Sequence, residues 1–105
     1  MASITFENAR DGLTDRFLAI CDNVYFQPPE GFKLQYPCIV FHKKTVENIH
    51  ANGKVYGQKF LFEVTVMDKD PDGDLAQTIS KWSKTKQIGH NRYDNIYHDI
   101  FNIYY

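Results

Sequence analysis

The run from Tyr93 to Tyr105, YDNIYHDIFNIYY, constrains the fold more than any other stretch. It is strongly strand-forming, holds four of the seven tyrosines and contains no lysine. An open edge of that composition invites pairing with other chains. The strand is therefore expected inside a sheet or against a partner subunit. Alternation places Ile96, His98, Ile100, Asn102 and Tyr104 on one face and Tyr97, Asp99, Phe101, Ile103 and Tyr105 on the other. The second set holds the more apolar pair, Phe101 and Ile103, and is expected to face the helices.

A second strong signal lies upstream. Tyr36 to His42 reads as a strand apolar on both faces, hence central, and the more polar Lys43 to Ala51 extends it as an arm. Asn52-Gly53 then fits a type I′ hairpin turn, in which both central residues need positive φ. Phe60, Phe62, Val64 and Val66 alternate through a returning strand that ends at Asp68.

Helices are expected at two places. Phe6, Ala9, Leu13, Phe17, Ile20 and Val24 step by three or four from a start after Ser3 or Thr5, with Asp22-Asn23 as the exit. Gly12 weakens that helix by about 1 kcal/mol relative to alanine. Leu75, Ile79 and Trp82 open a second helix running to about Lys84. Between them Val24 to Gly31 is a short extended piece broken by Pro28 and Pro29, since proline lacks the donor a central strand requires. Gln87 to Tyr105 supplies one or two strands turning near Asp94-Asn95. The pattern predicts an α+β fold: a mostly antiparallel sheet, an N-terminal and a second helix on one face, and a long β-hairpin arm. Its 105 residues suffice for a single domain, 1–105, with one core.

Charge and composition narrow the function. Twelve basic residues against thirteen acidic ones give no global attraction to nucleic acid or anionic membrane. No apolar run approaches the roughly 20 residues that cross a bilayer, and Met1 to Glu7 lacks the build of a signal peptide. Cys21 and Cys38, in apolar segments without CxxC spacing, read as core residues. Eight phenylalanines and seven tyrosines exceed what so small an interior is expected to hide, so some should be covered only in an assembly.

Chemical motifs are sparse. Asp68-x-Asp70-x-Asp72-Gly73 copies the first half of an EF-hand loop, but Ile79 stands where the bidentate glutamate is needed. Asp70, Asp72 and Asp74 are expected instead to cap the second helix and face its positive end. His42, His50, His90 and His98 show no ligand spacing, and His98 and Asp99 point to opposite faces of their strand. The lysines at 43, 44, 81, 84 and 86 read as solvated ends. No phosphate-binding or nucleophile motif is present, which argues against a hydrolase or nuclease; no catalytic residue, metal or cofactor is expected.

Four segments in order, VYFQPP at 24–29, YPCIVF at 36–41, FEVTVMDKDPD at 62–72 and RYDNIYHDIF at 92–101, together resemble the tail terminator or tail-completion proteins of tailed phages. Lys69, Gly73 and Ile96 stand where that family more often has arginine, serine and leucine. The resemblance implies a structural virion protein: a hexameric ring that caps the head-proximal end of the tail tube and joins it to the neck. It further implies tail-tube and neck proteins as partners, DNA only as cargo through the ring, no membrane, and assembly in the host cytoplasm. A neck or head-tail connector subunit of the stopper type is the nearest alternative, and a monomeric regulatory or calcium-binding module the more distant one. The NG hairpin and the aromatics place the expected contacts between copies at Lys43, Lys44, Val46, Asn52, Gly53, Val55, Tyr56 and Tyr104.

Overall fold

The computed structural model describes residues 5–70 and 72–105. Residues 1–4, where the targeting reading and a helix start at Ser3 fall, lie outside it, as do Pro71 and the side chain of Tyr56. The elements in order are α1 (Phe6–Leu18), β1 (Val24–Phe26), β2 (Cys38–Ala51), β3 (Lys54–Asp68), α2 (Asp74–Ser80), β4 (Thr85–Tyr93) and β5 (Ile96–Tyr104). They build the expected α+β fold, a five-stranded sheet in the order β1-β2-β3-β5-β4. Only β1 with β2 is parallel; the other pairs are antiparallel.

The strand-forming run Tyr93–Tyr105 is shielded on both sides, since β5 lies between β3 and β4. Its two faces divide as the alternation predicts. Phe101 and Ile103 are fully buried, aligned with Val64 and Phe62 of β3, and join the core beneath the helices. Both hairpins turn on positive φ: Asn52 (54°) with Gly53 (75°), and Asp94 (52°) with Asn95 (62°).

Thr5 starts α1, its hydroxyl accepting the Asn8 N–H at 3.2 Å. Ala9, Leu13 and Phe17 form the buried stripe of α1. The helix stops at Leu18, sooner than the spacing of Ile20 and Val24 suggests: Ile20 is exposed and Val24 belongs to β1. The Ile20 and Cys21 N–H groups both turn to the Phe17 carbonyl, and the chain then crosses to pair Val24 with Ile39. Gly12 has a packing reason, because the Tyr105 hydroxyl occupies the space where a Cβ would stand.

The second helix is also shorter than expected. It ends at Ser80, where Lys81 and Trp82 bond three residues back, to Thr78 and Ile79, and Lys84 adopts φ 60°. Trp82 sits beyond the helix and stacks on Phe17 at 5.6 Å, which explains its apolar spacing. Its N-cap is Gly73, with no side-chain cap bond.

Most aromatics are spent inside. Phe17, Phe41, Phe62 and Phe101 are fully buried, Phe60 nearly so, and Phe6 and Phe26 close the edge of the cluster. Of the aromatics expected to be left for an assembly to cover, Phe32 and Tyr93 are the prominent exposed ones among the described residues. Large rings each bury much area, which suits the single core layer of a small chain. Phe101→Ala should cost about 3–5 kcal/mol through the cavity left between β5 and the helices. Circular dichroism melts should show a clear drop in Tm; an unchanged Tm would mean that this face of β5 is not the core face.

Candidate functional site

Two features of this chain are unsatisfied within it, and both follow from strand length. The first is an arm. β5 gives out at Tyr104, opposite Leu61, with a last backbone exchange between Tyr105 and Phe60. Beyond it β2 and β3 continue alone, from Glu47 opposite Lys59 to the Asn52-Gly53 turn. The molecule is accordingly 51 Å long and only 25 by 23 Å across. An isolated two-stranded hairpin is marginal in water, and both edges of this one present unpaired backbone groups. One cross-strand side-chain bond, Gln58 Nε2 to Asn48 Oδ1 at 2.9 Å, braces it.

The expected interface residues divide between tip and root. Val46, at the arm's root opposite Phe60, and Asn52, Gly53 and Val55 on the arm are all exposed, Val55 at 56%. Ile49, which the sequence reading missed, belongs with them at 39%; the apolar residue in a polar strand was the available signal. Tyr56 contributes backbone to β3. Lys43 and Lys44 are exposed but lean on their own domain: the Lys43 ammonium lies 4.6 Å above the Phe6 ring, and Lys44 Nζ donates to Asn102 Oδ1 at 3.4 Å. They anchor the arm to its own domain. Tyr104 is half-buried at the arm's base beside Lys59, Lys84 and Tyr105.

The second feature is the sheet face opposite the helices. Strand register lines up Val40, Thr65, Ile100 and Gly89 in one row, and Cys38, Met67, His98 and Asn91 in the next. His42 and Glu63 pair here at 3.2 Å. The loop after β1 covers only one margin, where Phe32 packs on Tyr25 at 5.2 Å. Toward β4 the face opens into a shallow trough of about 560 Å³ lined by Thr65, Met67, Asn91, Arg92, Tyr93, His98 and Ile100.

The remaining polar groups offer little chemistry. Asp99 accepts from Gln87 Nε2 at 2.9 Å and pairs with His90 Nδ1 at 2.5 Å. Spacing along the chain gave no hint of this pair, but the Asp94-Asn95 turn sets His90 opposite Asp99. Burial pushes the Cys38 thiol up to about 11, with nearby Cys21 adding to it, and burial also raises Cys21. Neither is an available nucleophile at neutral pH.

The aspartates do not cap α2 as expected. Asp68 Oδ1 takes the Asp70 N–H at 2.9 Å and Asp70 Oδ1 takes the Asp72 N–H at 3.0 Å, so two carboxylates brace the turn itself. Asp74 lies in the first turn of the helix, near its positive end. No group of three His, Cys, Asp or Glu side chains among the described residues is placed to hold a metal ion. Nor is any helix among them long and apolar enough to cross a membrane.

Comparison with protein-family models, with curated proteins and with solved structures gave no match.

The two carboxylates committed to backbone donors set an expectation for calcium. Calorimetric titration should find no site tighter than about millimolar, the range of weak extracellular modules. Micromolar binding accompanied by a rise in Tm would instead mean that the turn opens and wraps a cation.

Proposed function

We propose that this chain is a structural subunit of a tailed-phage virion, forming a hexameric ring that caps the head-proximal end of the tail tube and joins it to the neck. The observation that carries the reading is the pairing of a long unsupported arm with an uncovered sheet face in one small domain. Surfaces of that kind gain their stability from neighbours, and two different surfaces on one subunit make the heterologous contacts from which rings close.

The placement of the four tail-terminator-like segments adds support. They form β1 with its following turn, the start of β2, the end of β3 with the aspartate turn, and the β4–β5 hairpin. The strand register brings all four to one end of the sheet, opposite the arm. A ring subunit of this type would use that end and the arm for contacts to copies of itself, to the tube protein and to the neck protein. DNA would pass through the ring as cargo, and no catalysis or cofactor is required of it.

Native mass spectrometry of the purified chain, alone and with the tube protein, should reveal a closed oligomer of six. Deleting the gene from the phage or prophage that carries it should leave tubes of undefined length in electron micrographs, because an uncapped tube end keeps accepting subunits. Capped tails of normal length beside unattached heads would transfer the protein to the neck. A strict monomer in both mixtures, with normal particles after deletion, would remove the proposal.

A further inference from the structure

Acidic residues stop at Asp74 and resume at Asp94: the stretch from Leu75 to Tyr93 carries Lys81, Lys84, Lys86 and Arg92 and no carboxylate. The fold sets the middle of that stretch, the turn between α2 and β4, against the end of β5, where two hollows of about 290 and about 160 Å³ adjoin. Lys84, Tyr104 and Tyr105 line both. Arg16, from the last turn of α1, and Ser83 complete the larger, and Lys59 of β3 completes the smaller. Three cations from three separate segments thus share one place. Among the described residues no carboxylate side chain lies within ion-pair distance of any of them, and Glu47, opposite Lys59 in register, is no exception. A carboxylate on Tyr105 itself, one oxygen of which takes the Phe60 N–H at 3.4 Å, leaves the three cations in excess.

The site is held from both sides. The Arg16 guanidinium lies 4.3 Å over the Trp82 indole, which steadies a long side chain. Lys84 takes φ 60°, in the left-handed region that a lysine rarely occupies, and its carbonyl receives the Tyr104 N–H at 3.0 Å, which pins it there. Backbone kept in a sparsely populated conformation gathers at binding sites, and here it falls on the cation common to both hollows.

We infer that the paired hollows bind a phosphate group. Like charges gathered in one hollow repel, and an anion between them removes that cost. A phosphate monoester brings nearly two negative charges and three acceptor oxygens around one centre, which cations set on α1, on β3 and before β4 approach from different sides. A carboxylate brings one charge in one plane. Both hollows fall below the roughly 300 Å³ at which sites for drug-sized ligands begin, so they suit a small phosphorylated group and not a large cofactor. The tyrosine rings offer a flat surface to whatever carries the phosphate. That carrier is a small phosphorylated molecule or the backbone of a nucleic acid, with the same chemistry at the site in either case. The inference stands independently of the ring reading.

Calorimetric titration of the chain with adenosine 5′-monophosphate, inorganic phosphate, acetate and a short DNA duplex tests it. The monophosphate should bind at one site per chain with a Kd of about millimolar or tighter and raise Tm, inorganic phosphate should compete with it, and acetate should do neither. Lys84→Asn, which keeps a residue tolerant of the left-handed backbone, and Lys59→Gln should each weaken binding about tenfold. Lys84→Arg should stay within about threefold of wild type. Lys33→Gln, which removes an exposed charge from a loop elsewhere, should change nothing. Melts of the unliganded variants establish that each is folded. Duplex binding that the Lys84→Asn and Lys59→Gln variants abolish, without binding of the monophosphate, would keep the phosphate site and assign it to a nucleic-acid backbone. Monophosphate binding without duplex binding would keep it and assign it to a small molecule. Silence toward phosphate and monophosphate at about 10 mM and toward the duplex at high micromolar concentration would overturn the inference. So would acetate binding as well as phosphate, Lys33→Gln weakening binding as much as Lys84→Asn, or affinities that the Lys84→Asn and Lys59→Gln changes leave untouched.

Discussion

Everything else in this molecule depends on the contact between α1 and the sheet through a continuous set of aromatic rings. Phe6 stacks on Phe62 at 5.6 Å, Phe17 meets Phe41 edge-on at 5.1 Å, and Phe26 approaches Phe41 at 5.0 Å. Trp82 closes the other side of Phe17, with the Arg16 guanidinium 4.3 Å above the indole. Phe6 and Phe17 come from α1 and the other four rings each from a different segment, so one layer ties together α1, β1, β2, β3 and the segment after α2. Two short helices cover the sheet because the side chains between them are large. Aromatic burial of this kind contributes both area and favourable ring geometry. It also holds the base of the hairpin, since Phe6 packs beneath Lys43 and beside Phe60 where the arm leaves the domain.

That arrangement explains what could be read in advance. The alternation of β3, the division of Phe101 and Ile103 from Ile100 and Asn102, and both hairpin turns were legible, because they rest on local φ preferences and on a period of two. The helix ends were not. Ile20, Val24 and Trp82 keep helical spacing while serving loop and strand positions, and apolar spacing alone does not distinguish a buried loop residue from a helical one. Gly12 looked like a weakness because the residue that needs its space, Tyr105, is remote in sequence. The His90–Asp99 pair became visible only once the β4–β5 register was known.

The candidate interface was partly legible for a related reason. An NG turn between two strand-like runs announces a hairpin, but whether its strands are covered depends on the length of their neighbours. β5 ends at Tyr104, and that single boundary separates core hairpin from free arm. Lys43 and Lys44 fall on the core side of it and become anchors, whereas Val46, Ile49 and Val55 fall near or beyond it and remain uncovered. Most of the aromatics read as interface material are taken up by the core, with Phe32 and Tyr93 left exposed, and among the described side chains of the arm the exposed apolar ones are aliphatic.

The β2–β3 ladder contains two irregularities, one stepping over Lys44 on β2 and the other over Tyr56 on β3. Each adds one residue to one strand, and because they fall on opposite strands they cancel. Cys38 opposite Met67 keeps the same symmetric relation to the turn as Ala51 opposite Lys54. The arm is therefore modular: its local twist and aim are set between the two bulges, and the core register is unaffected by them. A change of two residues in each strand of the arm would alter reach by about 7 Å while leaving every core side chain on its own face. The reach of this part can therefore change without a new fold.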